Sequence, residues 1–151
     1  MIALFHPRST RPKNRRFPLS ILSLAAMLEG REDYRIVDGN LETDPLVALD
    51  DIMREKPARA LAVSVMPGPQ MVAAVETTRK FRKAYPNVPV IWGGYFPSLF
   101  PETTLNAPYV DLVVRGQGED TFTELLDALD GGPSAWRNIA GLSYRDDFGL
   151  T

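Results

Sequence analysis

The sequence predicts a doubly wound α/β domain: a five-strand parallel sheet of order 2-1-3-4-5, helices on both faces, and a C-terminal β extension. Short apolar runs of strand length alternate with amphipathic stretches of helical length, which is the signature of successive βαβ units. The run Ala60 to Val65 is nearly all apolar, as a parallel strand covered on both faces must be. Prolines stand where helices would begin and glycines where they would end, so the punctuation agrees with the periodicity.

Ile2 to Phe5 opens as a buried strand and passes into a polar, basic loop from His6 to Arg16. Pro18 fits a first helical turn, Ile21, Leu24, Ala25 and Leu28 form one apolar stripe, and Gly30 stops the helix. Tyr34 to Val37 is the second strand. Asp44-Pro45 supplies an N-cap and a first-turn proline for a helix bearing Leu46, Leu49, Ile52 and Met53, which ends before Pro57. After the third strand, Ala60 to Val65, the spacing of Met71, Ala74, Val75, Thr78, Phe81 and Tyr85 predicts a helix from about Pro69 to Tyr85. Val88 to Trp92 and Val110 to Val114 are the fourth and fifth strands, joined through a short helical stretch at Pro101 to Leu105. Gly118-Glu119 opens a last helix with Phe122, Leu125, Leu126 and Leu129 inward, closed by Gly131-Gly132-Pro133. Ile139 to Tyr144 reads as a strand and Arg145 to Gly149 as a hairpin turn whose return strand has only Leu150 and Thr151. A hairpin that short is marginal by itself, which suggests a chain cut from a longer protein, with residues 1–132 as the ligand-binding domain and 133–151 as a linker and hairpin start; the plainer reading is a frayed C-terminus.

With 151 residues, 44% of them hydrophobic, the chain can bury one sizeable core, so one domain is expected. A net charge of -2 on 17 basic and 19 acidic residues gives no global attraction to nucleic acid or to an anionic membrane. The absence of cysteine excludes disulfides, thiolate zinc sites, a cysteine nucleophile and a cysteine-held iron–sulfur cluster within this chain. No apolar run approaches the roughly 20 residues that span a bilayer, and Ile2 to Phe5 is too short for a signal-peptide core. No membrane span and a cytoplasmic location are the expectations.

In an open α/β sheet the ligand crevice lies beyond the carboxyl ends of the strands, where strand order reverses. The loops converging there are His6 to Arg16, Ser64 to Gly68, Gly93 to Pro97 and Arg115 to Glu119. Glycine is concentrated in them at Gly68, Gly93, Gly94, Gly116 and Gly118; without a Cβ the backbone admits close approach by a flat ligand and leaves N–H groups free, although tight βα turns use glycine too. Nucleotide fingerprints fail. There is no GxGxxG after the first strand and no Walker lysine, and Arg115-Gly116-Gln117-Gly118-Glu119 follows the last strand of the parallel set. A phosphorelay receiver would need acids after strands one and three, where this sequence has His6-Pro7 and Ser64-Val65.

Ser64-Val65-Met66 after strand three and Gly93-Gly94 after strand four resemble the Ser-x-Leu and Gly-Gly signatures of flavodoxin-like cobalamin-binding domains. The runs Pro18 to Ala26, Val37-Asp38-Gly39-Asn40, Gly93 to Ser98 and Arg115 to Phe122 resemble the subgroup fused to radical-SAM enzymes: methyltransferases and anaerobic Mg-protoporphyrin monomethyl ester cyclases. The resemblance covers nearly the whole chain. It implies cobalamin as cofactor, a small-molecule substrate, and a C-terminal radical-SAM domain as partner. The [4Fe–4S] cluster and S-adenosylmethionine would belong to that domain, whose CxxxCxxC this cysteine-free chain lacks. A module that is not catalytic by itself follows.

The resemblance implies that Ser64 meets the base of the nucleotide tail, that Gly93 and Gly94 let the tail pass, and that Tyr95 and Phe96 offer aromatic faces to corrin or tail. Val65, Met66, Gly68, Arg115, Gly116, Gly118 and Glu119 complete the candidate pocket, with Ser9 and Thr10 as hydroxyls of the first loop. Each has a plainer reading: a strand-end serine, an aromatic plug over the sheet, or, for Glu119, a carboxylate favoured at a helix start. The Asp-x-His-x-x-Gly motif that ligates cobalt in many relatives is absent. His6, the single histidine, has no Asp and Gly partners at that spacing, so the resemblance implies no side-chain metal ligand, with His6 the one candidate. Arg8, Arg11, Lys13, Arg15 and Arg16 crowd the first loop and suit a phosphate, a carboxylate or an acidic partner surface, or else a solvated loop. Two other readings stand beside the cobalamin module. One is a scaffold domain that kept the fold and lost the cofactor, with Tyr95, Phe96 and Met66 filling the crevice. The other is an FMN binder, for which Ser9 and Thr10 would have to hold phosphate.

Overall fold

Apolar side chains alternate along strands that must be covered on both faces, and the computed structural model, which describes residues 1–146 and 149–151, shows both coverings. Strands β1 (Ile2–His6), β2 (Tyr34–Asp38), β3 (Ala60–Ser64), β4 (Val90–Gly93) and β5 (Leu112–Val114) are parallel, and β6 (Leu142–Asp146) and β7 (Gly149–Leu150) add antiparallel. The sheet has 7 strands in the order β2-β1-β3-β4-β5-β6-β7. The expected parallel order and β extension are therefore present. Asp147 and Phe148, within the expected hairpin turn, lie outside the described residues.

One row of strand side chains, including Ala3, Phe5, Leu61, Val63 and Trp92, packs with Leu49 and Met53 of α2 (Pro45–Glu55) and Ala74 and Phe81 of α3 (Pro69–Ala84). The opposite row, including Leu4, Ala62, Ile91 and Leu112, packs with Ile21, Ala25 and Leu28 of α1 (Leu19–Leu28) and Phe122, Leu125 and Leu126 of α6 (Glu119–Ala128). The period of two in the strands and the 3.6-residue period in the helices thus divide one chain into two apolar layers. At the start of α2, Asp44 Oδ1 accepts the Leu46 N–H at 2.9 Å, with Pro45 in the first turn, as an Asp-Pro N-cap requires.

Several boundaries differ from the sequence expectation. The fourth strand starts at Val90 and not at Val88, because the Val88 N–H is taken by a turn bond to the Tyr85 carbonyl. The fifth starts at Leu112 and not at Val110, whose N–H goes to Ala107 O. The sixth starts at Leu142 because Ile139 is held by Trp136 O. Two short helices were not legible: α4 (Tyr95–Leu99), in the segment read as a loop, and α7 (Gly132–Trp136), in the segment read as a helix stop. Between α4 and α6 lies α5 (Pro101–Leu105), where it was expected. Pro97 and Pro133 lie within first turns, where a missing N–H is no loss, so a proline that looks like a terminator starts a new turn.

Candidate functional site

Where Ala62 and Ser64 end β3 and Gly93 ends β4, the α1/α6 face of the sheet carries almost no side-chain volume, and the two helices do not close over it. A slot of about 200 Å³ results. Its base and sides are apolar: Ala62, Ile91 and Val114 from the sheet, Leu24 from α1 and Phe122 from α6. Its polar groups are few and lie toward the carboxyl edge. Ser64 Oγ, itself buried, is 2.8 Å from Ser20 Oγ on α1, and Gln117 and Glu119 stand on the α6 side.

The backbone around the slot is fixed by contacts that tolerate no bulk. Gly94 has φ of 95°, and a Cβ there would come within 3.0 Å of both Val65 N and Val65 O and 3.2 Å of Ser64 Oγ. Only glycine combines that dihedral with that proximity. Beyond it, Ser98 Oγ donates to Gly94 O at 2.7 Å and accepts the Gly116 N–H at 2.8 Å, so one hydroxyl ties the β4 loop to the β5 loop.

Of the residues singled out in the sequence, Ser64, Gly93, Gly94, Gly116, Gly118 and Glu119 line this slot. The others do not. Val65 is fully buried on the opposite, α2/α3 side. Met66 and Tyr95 are 49% and 57% exposed at the ends of β3 and β4. Phe96 packs on Phe100 with ring centroids 5.2 Å apart, Gly68 caps α3 with a positive φ, and Arg115 is exposed, its N–H donated to Gly141 O. Ser9 and Thr10 sit in the first loop, where both backbone N–H groups and the Thr10 hydroxyl donate to Asn40 Oδ1. Sequence reasoning missed Ser20, Leu24, Ala62, Ile91, Val114 and Phe122 as slot residues. Each was read as a helix or core position, and only the way α1 and α6 part over the sheet turns them into walls.

His6 lies outside the slot. Its half-buried ring is 3.3 Å from Gln70 Nε2 and 3.4 Å from Ser9 Oγ. Burial lowers its pKa below the ordinary 6.5, against an opposing pull from the Asp38 carboxylate, so the neutral imidazole is favoured. Among the described residues no His, Cys, Asp or Glu cluster is placed to hold a metal ion, and no helix is long and apolar enough to cross a membrane.

The sequence matches the B12 binding domain family over residues 10–126, a span that contains every slot-lining residue. The chain belongs to the B12-binding domain family. Homology supports a cobalamin-binding role. Over 86% of its length it is 32% identical to an uncharacterised methyltransferase of Pyrococcus horikoshii. Over 90% it is 27% identical to the anaerobic magnesium-protoporphyrin IX monomethyl ester cyclase of Synechocystis. It spans 28% of the length of each of these relatives. The fold is also that of the cobalamin-dependent S-adenosylmethionine radical enzyme OxsB with aqua-cobalamin bound, with TM-score 0.79 and 20% identity over 99% of this chain and 21% of that one.

The slot fits one part of such a cofactor. An apolar cavity of about 150 Å³ takes up a benzene ring, so about 200 Å³ suits a single flat bicyclic base. A whole corrinoid needs far more space. The macrocycle would have to remain outside, over the carboxyl edge, where exposed Met66 and Tyr95 provide apolar surface.

Proposed function

We propose that this chain is the cobalamin-binding module of a radical-SAM methyltransferase or anaerobic cyclase, holding the nucleotide tail in the α1/α6 slot and the macrocycle over the strand ends. The observation that carries the reading is the open apolar slot bordered by Ser64, Gly93 and Gly94, inside a chain of the B12-binding family. Ser64 and Ser20 present hydroxyls to a ring nitrogen of the base, and Ala62, Ile91, Val114, Leu24 and Phe122 enclose its faces. Gly94 lets the β4 loop lie close against the Val65 backbone and the Ser64 hydroxyl at the border of the slot, where a Cβ would crowd both. Met66 and Tyr95 lie under or beside the corrin. Cobalamin, when bound, supplies a cobalt centre able to carry a methyl group or an electron; the protein's part is to fix its position and exclude water from the tail. Residues 1–132 carry the cofactor, and residues 133–151 lead toward the catalytic partner domain, which brings [4Fe–4S], S-adenosylmethionine and the small-molecule substrate site.

A crevice filled by Met66, Tyr95 and Phe96 would favour the scaffold reading, and none of them lines the slot. The FMN reading required free hydroxyls in the first loop, and the Thr10 hydroxyl is engaged by Asn40. Titration with hydroxocobalamin, followed by gel filtration and visible absorption, is expected to show one corrinoid retained per chain at tens of micromolar or below. Ser64→Phe, which fills the slot, is expected to abolish retention while leaving far-UV circular dichroism unchanged. Wild-type protein that elutes colourless defeats the proposal.

A further inference from the structure

A second polar assembly lies beside the slot and has no part in forming it. The loop between β1 and α1 is long and carries Arg8, Arg11, Lys13, Arg15 and Arg16, yet its first half is held by two buried carboxamides. Asn40, 4% exposed, receives three donors on one oxygen: the Ser9 N–H at 3.0 Å, the Thr10 N–H at 3.1 Å and the Thr10 hydroxyl at 3.2 Å. Its own N–H is 2.9 Å from Asp38 Oδ1, which fixes the turn that presents it. The turn runs so close beneath the loop that a Cβ on Gly39 would meet Arg8 N at 2.7 Å and His6 O at 3.0 Å. Arg8 adds a strap, donating to Gly39 O at 3.0 Å and Glu42 O at 2.6 Å.

From the other side, Gln70 of α3 is 2% exposed. Its Oε1 accepts the Met66 N–H at 2.8 Å, and its Nε2 donates to Pro7 O at 3.3 Å, beside the His6 ring. One side chain thereby joins the β1 loop to the β3 loop, two residues past Ser64. Farther along, the β1 loop enters α1, whose Ser20 and Leu24 wall the slot. The loop therefore leads from the β1 end, beside the β3 loop, into the helix that walls the slot.

We propose that Asn40 and Gln70 are positioning residues of the cobalamin site, a clasp that sets the height of the β1–α1 loop against the face of the macrocycle. This rests on the cobalamin reading above. Neither residue touches the slot, and buried amides that satisfy several backbone groups at once are costly to replace. The basic tip stays outside the clasp: Arg11, Lys13 and Arg16 form no ion pair among the described residues and border an open surface cleft. The stem of the loop is therefore ordered while its charges remain available.

The bond polarity gives an unusual substitution pattern. Asn40 acts on the loop mainly through an acceptor oxygen, which aspartate retains; Gln70 uses an acceptor and a donor, and glutamate keeps only the first. Asn40→Ala and Gln70→Glu are expected to weaken hydroxocobalamin binding by about 10- to 100-fold, the usual effect of losing a group that orients a cofactor contact. Both should also alter the electron paramagnetic resonance spectrum of the one-electron-reduced corrinoid, which reports the axial environment of cobalt. Asn40→Asp keeps the acceptor but loses the Nδ2–H donated to Ser9 Oγ at 3.4 Å and buries a charge close to Asp38, so it should fall between wild type and Asn40→Ala in affinity. If wild type binds and Asn40→Ala or Gln70→Glu matches it in affinity and spectrum, the clasp is wrong and the slot reading survives. The same holds if Asn40→Asp is as weak as Asn40→Ala. If wild type binds nothing, both fall. Should Asn40→Ala fail to fold, the affinity and spectrum of Gln70→Glu still decide.

Discussion

Glycines that look equivalent in the sequence differ sharply in what surrounds them. At Gly94 a methyl group would crowd backbone atoms of Val65 at 3.0 Å, which would have to give by a few tenths of an ångström, and the φ of 95° strains any L side chain whatever the space. Gly94→Ala is expected to destabilise the domain by about 1–3 kcal/mol, read from the urea midpoint. At Gly118, whose φ of -91° suits any residue, a Cβ would meet only the Val114 Cγ1 methyl, at 2.9 Å. Gly118→Ala should cost less, and the reverse ranking would refute the argument. The glycine cluster was legible in the sequence; which member is irreplaceable was not, because the clashing atoms belong to another strand end. Tyr95 and Phe96 teach the same lesson from the other side. Their types suggested ring stacking in a pocket, and the α4 turn places them outside it.

At the level of elements, strands and long helices follow from periodicity, and their ends follow from caps where a cap exists. Asp44 is such a case, and Asp44→Ala should cost about 0.5–2 kcal/mol with little effect on corrinoid uptake, since α2 lies on the face away from the slot. Thermal unfolding and hydroxocobalamin titration of the same variant test both halves of that statement. Where no cap marks an end, the boundary was misplaced: β4, β5 and β6 each begin two or more residues later than the apolar runs, because turn hydrogen bonds take the first N–H groups. The slot, too, belongs to elements. It lies over β3, β4 and β5 between α1 and α6, to one side of the β1/β3 reversal point, where small residues fall at the ends of β3 and β4.

For the whole molecule, the single histidine links loop order to pH. Burial depresses the His6 pKa from 6.5 while Asp38 partly offsets it, so between the folded value and 6.5 the unfolded chain binds more protons. The stability from keeping His6 neutral is present in full above pH 6.5 and is lost as pH falls through the folded value. The urea midpoint should decline between about pH 7.5 and about pH 5.5, and His6→Gln should show a shallower decline. An identical slope in the variant would exclude His6 as its source.

Taken alone, the sequence determined the parallel sheet with its two helical layers, the glycine-rich carboxyl edge and the family signature at Ser64, Gly93 and Gly94. The sheet, its layers and the glycine-rich edge rest on periodicities and turn chemistry that act over a few neighbouring residues; the signature rests on resemblance to cobalamin-binding domains. Only the tertiary structure decided that Ser20, Leu24 and Phe122 face a common slot, that His6 turns away from it, and that Asn40 and Gln70 grip one loop from opposite sides. Each of those facts depends on how far apart two helices stand or how closely two loops cross, distances between residues remote in the chain that no local pattern encodes.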